Sequence, residues 1–275
     1  MASRGQAKLS HATSRDGTQI GYFTSGEGPP LVLVHGTASD HTRWDALRGH
    51  LEAQVTVHAV DRRGRGASGD GPDYAIEREY EDVAAVIDAV AGAAGCAVDV
   101  YGHSYGGVYA FGGAALAPNL RRLVLYEGWP TSGPAPFLPP AELVTRLEAL
   151  LAEGDREGVV ETVARELANM TDEEIAAYRA HPSWPARVAA AHTIPREAAT
   201  ISELSIDPAQ IRGLTVPTLL LIGEQSPDWV PEAYGLAEAL QAAHVEALDG
   251  QGHAADALAP ERVAEHVLRF LQAQR

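Results

Sequence analysis

Residues 98–107 read Val98-Asp99-Val100-Tyr101-Gly102-His103-Ser104-Tyr105-Gly106-Gly107. The apolar stretch Ala97 to Tyr101 predicts a buried strand, and Tyr105 to Leu116 predicts a helix. Between them lies Gly102-His103-Ser104-Tyr105-Gly106, a G-x-S-x-G placed on a strand-to-helix turn. Such a turn is tight and strained, and it stands the serine Oγ clear of the sheet. Gly102 and Gly106 carry no Cβ, so neighbouring backbone can pass close by. The helix then points its N-terminus, with its unpaired N–H groups, at the serine, where negative charge would be stabilised. A glycine-rich turn with an incidental serine has no need of this strand and helix on either side.

Outward from this turn the chain alternates. Strands are predicted at Thr18–Thr24, Leu31–Val34, Val55–Val60 and Leu120–Tyr126, and helices at Thr42–Ala53 and Tyr74–Ala91. In the second helix Ile76, Tyr80, Val83, Ile87 and Val90 recur at three- and four-residue spacing. The pattern β-α-β-α-β with short joins predicts a parallel sheet covered on both faces. Gly128 to Pro140 is rich in proline and glycine, and Ala141 to Arg212 shows only helical patterning, including a capping box at Thr171 and Glu174. Strand and helix alternation resumes with a strand at Thr218–Ile222, a helix at Pro231–Ala243, a strand at Val245–Leu248 and a helix at Ala257–Gln272. The expected organisation is an α/β core of residues 1–128 and 214–275 carrying a helical cap, residues 129–213.

Composition narrows the function. The 275 residues are 45% hydrophobic and 21% charged, an ordinary globular balance. The formal charge of −16 opposes a nucleic-acid partner, and Arg62, Arg63 and Arg65 are too few to make a basic footprint. No apolar run reaches the ~20 residues of a membrane span, and Met1 to Ser10 lacks the apolar stretch of a signal peptide. The lone Cys96 cannot form an internal disulfide, so a cytoplasmic location is expected.

A serine hydroxyl needs a base. Behind a strand-turn-helix serine the chain order is serine, acid, histidine. His253 follows the last predicted strand in Asp249-Gly250-Gln251-Gly252-His253, where loop glycines let the ring swing over the sheet edge. His181 and His192 fall in the helical stretch, His244 precedes a strand, and His266 lies in the final helix. The acid has two candidates, both beyond carboxyl ends of parallel strands: Glu127 after Leu120–Tyr126, and Asp228 after Thr218–Ile222. Against a catalytic role, Glu127 could pair with Arg62 or Arg63, and Asp228 could cap the next helix. His35-Gly36-Thr37 follows a strand, so the backbone N–H groups of Thr37 and Tyr105 are candidates for an oxyanion hole. His35 is expected to be structural or pocket-lining.

Together, His35-Gly36, Asp61-Arg62-Arg63-Gly64-Arg65-Gly66-Ala67-Ser68, Gly102 to Gly107 and Gly252-His253 resemble the α/β-hydrolase superfamily, in the form with a helical cap between strands six and seven. The resemblance covers about Thr18 to Gly128 and Leu214 to Phe270. It implies a Ser104-His253-acid hydrolase with no metal and no cofactor, acting on a small molecule. Most such families place an aspartate three residues after the glycine ending strand seven; here that position is Ser226. A subset places the acid after strand six, which favours Glu127 over Asp228. Dehalogenases and epoxide hydrolases carry aspartate at the elbow, and Ser104 disfavours both chemistries. An ester or lactone is the expected substrate. Trp129, Phe137, Tyr178 and Trp184 suggest an apolar or aromatic one, with Trp129, Trp184 and His35 as possible pocket residues. Carbon–carbon bond cleavage by the same triad is one alternative, and a ligand-binding receptor on the same scaffold is another.

Overall fold

The computed structural model describes residues 7–130, 139–168, 170–202, 204, 208–226 and 228–273. Its centre is an eight-stranded sheet. The strands are β1 (Lys8–Thr13), β2 (Gln19–Gly26), β3 (Pro30–Val34), β4 (Thr56–Val60), β5 (Val98–His103), β6 (Leu120–Tyr126), β7 (Thr218–Gly223) and β8 (Ala243–Leu248). Their order across the sheet is β1-β2-β4-β3-β5-β6-β7-β8. β1 and β2 form an antiparallel edge, and every pair from β3–β4 onward is parallel.

The central strands β3, β5 and β7 are buried at every residue. That explains their unbroken apolar runs, because helices cover both faces. Alternate residues divide between two cores. Val32, Val34, Val100, Leu123, Leu125 and Leu220 pack on one face. Leu31, Leu33, Tyr101, Val124, Leu219 and Leu221 pack on the other. The period of two along a strand produces this division.

Helix α1 (Asp45–Leu51) follows a 3₁₀ turn, His41–Trp44; α2 (Ile76–Ala94) and α3 (Tyr105–Ala114) cover one face. Between β6 and β7 run α4 (Ala141–Ala152), α5 (Arg156–Glu166), α6 (Asp172–Ala180), α7 (Trp184–Ala189), α8 (Thr193–Ser202) and α9 (Pro208–Gly213). The capping box of Thr171 and Glu174 opens α6. Leu143, Leu147, Val159, Val160, Val163, Trp184 and Ile194 give these helices a core of their own. Helix α10 (Trp229–Ala239) follows β7, and α11 (Ala255–Leu258) with α12 (Pro260–Gln272) ends the fold.

Three local differences from the sequence patterns have plain causes. β1 has no strong apolar alternation because it is an edge strand, with only Ala12 buried. The helix expected over 42–53 begins as a 3₁₀ turn because the Asp40 side chain caps Thr42 N–H at 2.9 Å. The last helix is split because Pro260 has no N–H to donate and so starts α12 afresh.

Candidate active site

Ser104 sits between β5 and α3 with φ 54° and ψ −135°, a left-handed backbone rare for a non-glycine residue. Close packing enforces it. Ser104 N–H donates to the Tyr126 carbonyl at 3.0 Å, and Gly107 N–H donates to the Ser104 carbonyl at 2.8 Å. A Cβ on Gly106 would collide with the carbonyls of Val34 and His35, and one on Gly128 would collide with the Ser104 carbonyl. These two glycines let the turn close.

Glu127 follows β6 and also has positive φ, 41°. Its side chain is fully buried. One carboxylate oxygen, Oε1, accepts the Gly223 N–H at 2.7 Å, and the other, Oε2, faces His253 Nδ1 at 2.7 Å. Because a carboxylate only accepts, Nδ1 is the protonated nitrogen of the neutral ring, and Nε2 is then the basic one. Arg62 and Arg63 do not compete for Glu127. Arg62 pairs with Glu79 and Glu197, and Arg63 with Asp82 and Asp16. Asp228 is exposed at the N-cap position of α10, and its side chain makes no capping bond.

His253 lies in the loop after β8. Its backbone carbonyl accepts a hydrogen bond from His103 Nε2 at 2.8 Å, and the two rings are 4.6 Å apart. Burial, reinforced by Arg43 and His253, pushes the His103 pKa well below the usual histidine range, so this ring is neutral. Tyr126 Oη donates to the preceding Gly252 carbonyl. On the other side of His103, Asp256 lies 3.8 Å from Nδ1 and is held by Arg43 through two bonds, at 3.0 and 2.6 Å.

The loop after β3 passes over Ser104. A Cβ on Gly36 would stand 2.9 Å from Ser104 Cβ and 3.4 Å from Oγ. Thr37 follows at once, and Tyr105 starts α3 beside Ser104. His35 is fully buried and is held by two hydrogen bonds, in keeping with the structural one of its two expected roles. Its Nδ1–H donates to the Gly36 carbonyl at 2.8 Å, and Nε2 accepts the Arg62 N–H at 3.3 Å. Burial first, then Arg62 and Arg65, pushes its pKa well down. Trp129 is fully buried in the main core, and Trp184 packs in the core of the inserted helices, edge-on to Tyr178. Both side chains are buried. Phe137 lies outside the described residues.

Sequence patterns gave no sign of Asp256, Arg187 or Glu197, all buried around the site. Among the described residues, Asp40, His41 and Asp61 form the one group of metal-ligand type with donor atoms within 4.8 Å of each other. Its oxygens already serve the loop. Asp61 accepts from the N–H groups of His41 and Ala67, and Asp40 from that of Thr42.

Ser104 with its positive φ, His253 held by the buried Glu127 carboxylate, and the glycine loop over Ser104 meet at one edge of the sheet. The chain matches the model of the alpha/beta hydrolase family over residues 31–266 and belongs to that family. An alpha/beta hydrolase from Sphaerobacter thermophilus has a similar structure, with TM-score 0.81 and 37% identity over 96% of this chain and 100% of that one. N-formylmaleamate deformylase of Pseudomonas putida is 38% identical over 122 residues, 43% of this chain and 44% of its own. Pyrrolizixenacetamide deacetylase of Xenorhabdus hominickii is 38% identical over 110 residues, 39% of this chain and 40% of its own. The chain thus spans less than half the length of these curated relatives. Among the described residues, no helix is long and apolar enough to cross a membrane.

Proposed function

We propose that this enzyme transfers an acyl group from a small apolar or aromatic ester or lactone to water, through Ser104, His253 and Glu127. The observation that carries this reading is the 2.7 Å contact between His253 Nδ1 and Glu127 Oε2, with the other carboxylate oxygen fixed by Gly223 N–H. His253 Nε2 takes the proton from Ser104 Oγ as it attacks the carbonyl. The backbone N–H groups of Thr37 and Tyr105 receive the oxyanion, each worth roughly a hundredfold or more in rate. His253 then protonates the leaving alcohol and activates the water that releases the acyl group. Glu127 orients the imidazole and stabilises its charged form.

Residues 129–213 act as a cap over this site, and substrate selection belongs to them. A deformylase and a deacetylase among the relatives bring short acyl groups on nitrogen into the substrate panel. The lone Cys96 favours a reducing cytoplasm as the working compartment.

The test is a panel of esters, lactones and short N-acyl amides followed by mass spectrometry, with Ser104→Ala as control. Wild type should turn over at least one class with incorporation of one oxygen from water, and the variant should retain less than a thousandth of that rate. Turnover that survives in the variant overturns the mechanism. Product formed without water incorporation points instead to carbon–carbon cleavage as a lyase.

A further inference from the structure

The loop that carries Gly36 and Thr37 is gripped by buried side chains, and the central one comes from the inserted helices. Glu197 on α8 is fully buried. Its Oε2 accepts the Thr37 hydroxyl at 2.6 Å and Arg65 Nη2 at 3.0 Å. Its Oε1 accepts the Tyr109 hydroxyl at 3.0 Å and is bonded by Arg62 Nη2. Arg62 in turn donates from Nη1 to the carbonyls of His35 and Gly36, at 3.2 and 3.1 Å. One residue further along, Arg187 of α7 donates to the Ala38 carbonyl at 2.5 Å and to Ser39 Oγ at 3.0 Å. Every residue from His35 to Ser39 is therefore tied to Arg62, Glu197 or Arg187.

Burial alone would raise the Glu197 pKa, but Arg62 and Arg65 outweigh it and hold the carboxyl below its ordinary range. It is a buried anion, and in such a setting a charge-assisted hydrogen bond is strong and directional. A loop that must present an N–H to a developing oxyanion within a few tenths of an ångström needs such a support.

We propose that Glu197 is a positioning residue for the oxyanion hole, acting through the Thr37 hydroxyl and through Arg62 on the loop between β3 and the 3₁₀ turn. Helix α8 is then part of the catalytic frame, and it cannot swing away from the core as a free lid without disordering the loop. The proposal rests on the reading of Ser104 as nucleophile and of Thr37 N–H as an oxyanion donor.

The experiment compares Thr37→Val, Thr37→Ser and Glu197→Gln with wild type. Its readouts are p-nitrophenyl acetate hydrolysis, the second-order rate of labelling by a fluorophosphonate, and thermal melting. Thr37→Val keeps the backbone N–H, shape and volume and removes only the hydroxyl. It should lose roughly ten- to a hundredfold in kcat and in labelling rate, with KM within threefold and melting within a few degrees of wild type. Thr37→Ser restores the hydroxyl and should return both rates to within threefold of wild type. Where Glu197→Gln folds, it should fall at least as far as Thr37→Val, and adding Thr37→Val to it should cost little more, because the two act as one unit. Should Glu197→Gln fail to fold, the two Thr37 variants decide the matter alone. A Thr37→Val enzyme within twofold of wild type overturns the proposal, and so does a loss confined to KM or one that Thr37→Ser does not rescue. Failure of the underlying reading looks different, since Ser104→Ala would then still hydrolyse the ester or take the label.

Discussion

Replacing Glu127 by glutamine tests the site most sharply, because the structure dictates which way the new amide must point. Glu127 Oε1 accepts the Gly223 N–H and Oε2 accepts from His253 Nδ1, both at 2.7 Å, in a fully buried setting. Glutamine has one acceptor oxygen and one NH₂ group. Turning the NH₂ towards Gly223 would set two buried donors against each other, at a cost of about 1–3 kcal/mol. The carbonyl therefore stays on Gly223, and the NH₂ donates to His253 Nδ1. That fixes the ring with its proton on Nε2, the nitrogen that must accept from Ser104. Such a reversal leaves the geometry intact and removes the base, and in a serine triad it lowers kcat by about 10⁴. At 1.36 kcal/mol per tenfold, this is roughly 5 kcal/mol of transition-state stabilisation. The assay is kcat for p-nitrophenyl acetate in Glu127→Gln and Asp228→Asn, with circular dichroism to show that both fold. Glu127→Gln should fall by three to four orders of magnitude with KM little changed, and Asp228→Asn should stay within threefold of wild type. A severe loss in Asp228→Asn with a mild one in Glu127→Gln would refute the assignment.

Three further outcomes follow from the packing. Gly128→Ala should destroy soluble expression or cost at least ~3 kcal/mol by urea unfolding, since its Cβ meets the Ser104 carbonyl and neither backbone can yield; a variant as stable as wild type would contradict the close approach. Arg43→Met leaves Asp256 buried without its partner and should cost about 3 kcal/mol, read the same way; a loss under 1 kcal/mol would show the pair to be dispensable. His58 is mostly buried, its Nδ1 lies 3.0 Å from Thr24 Oγ1, and its pKa is pushed by burial from 6.5 down to about 4. Above pH 6.5 both folded and unfolded chains carry it neutral. As pH falls from 6.5 towards 4 only the unfolded chain takes up the proton, so stability is lost, by up to about 3 kcal/mol. The stability difference between wild type and His58→Gln, followed by urea unfolding at pH 7 and pH 4, should shift by that order, and a difference independent of pH would refute it.

The parts of this molecule that sequence makes legible are those whose causes are local. The elbow is written in Gly102 to Gly107 because the close approach must be met by glycine where the chain turns. The central strands are legible because burial on both faces needs unbroken apolar runs such as Leu31 to Val34 and Leu219 to Ile222. Glu127 is legible only as a carboxylate at a strand end, and its φ of 41° and its bond to Gly223 depend on β7, some ninety residues on. Glu197 is not legible at all. It looks like any acidic residue of a surface helix, and only the folding of α8 onto the core brings it to Arg62, Arg65 and Thr37. Asp256 is hidden for the same reason. Each is decided by partners on other elements, and no spacing rule connects Asp256 to Arg43.

The distribution of backbone strain adds an argument that no one contact supplies. Among the described residues, the non-glycine positions with positive φ are Ala38 at 49°, Ser104 at 54° and Glu127 at 41°. They follow β3, β5 and β6, three adjacent strands running in parallel, so all three lie at one edge of the sheet. Each such conformation costs of order 1–3 kcal/mol and persists only where the surroundings over-determine it. The surroundings here can be named. Ala38 is held by Arg187 on its carbonyl, Ser104 by Tyr126 and Gly107, and Glu127 by Leu221 on its N–H and Gly223 on its side chain. Two of these anchors come from β7 and one from α7, both of which lie beyond β6 in the chain. The left-handed turns at the ends of β3 and β6 are therefore stabilised only once the inserted helices and the second half of the sheet have docked. Folding and the assembly of the site are in this way coupled, because the supports for Ala38 and Glu127 come from α7 and β7.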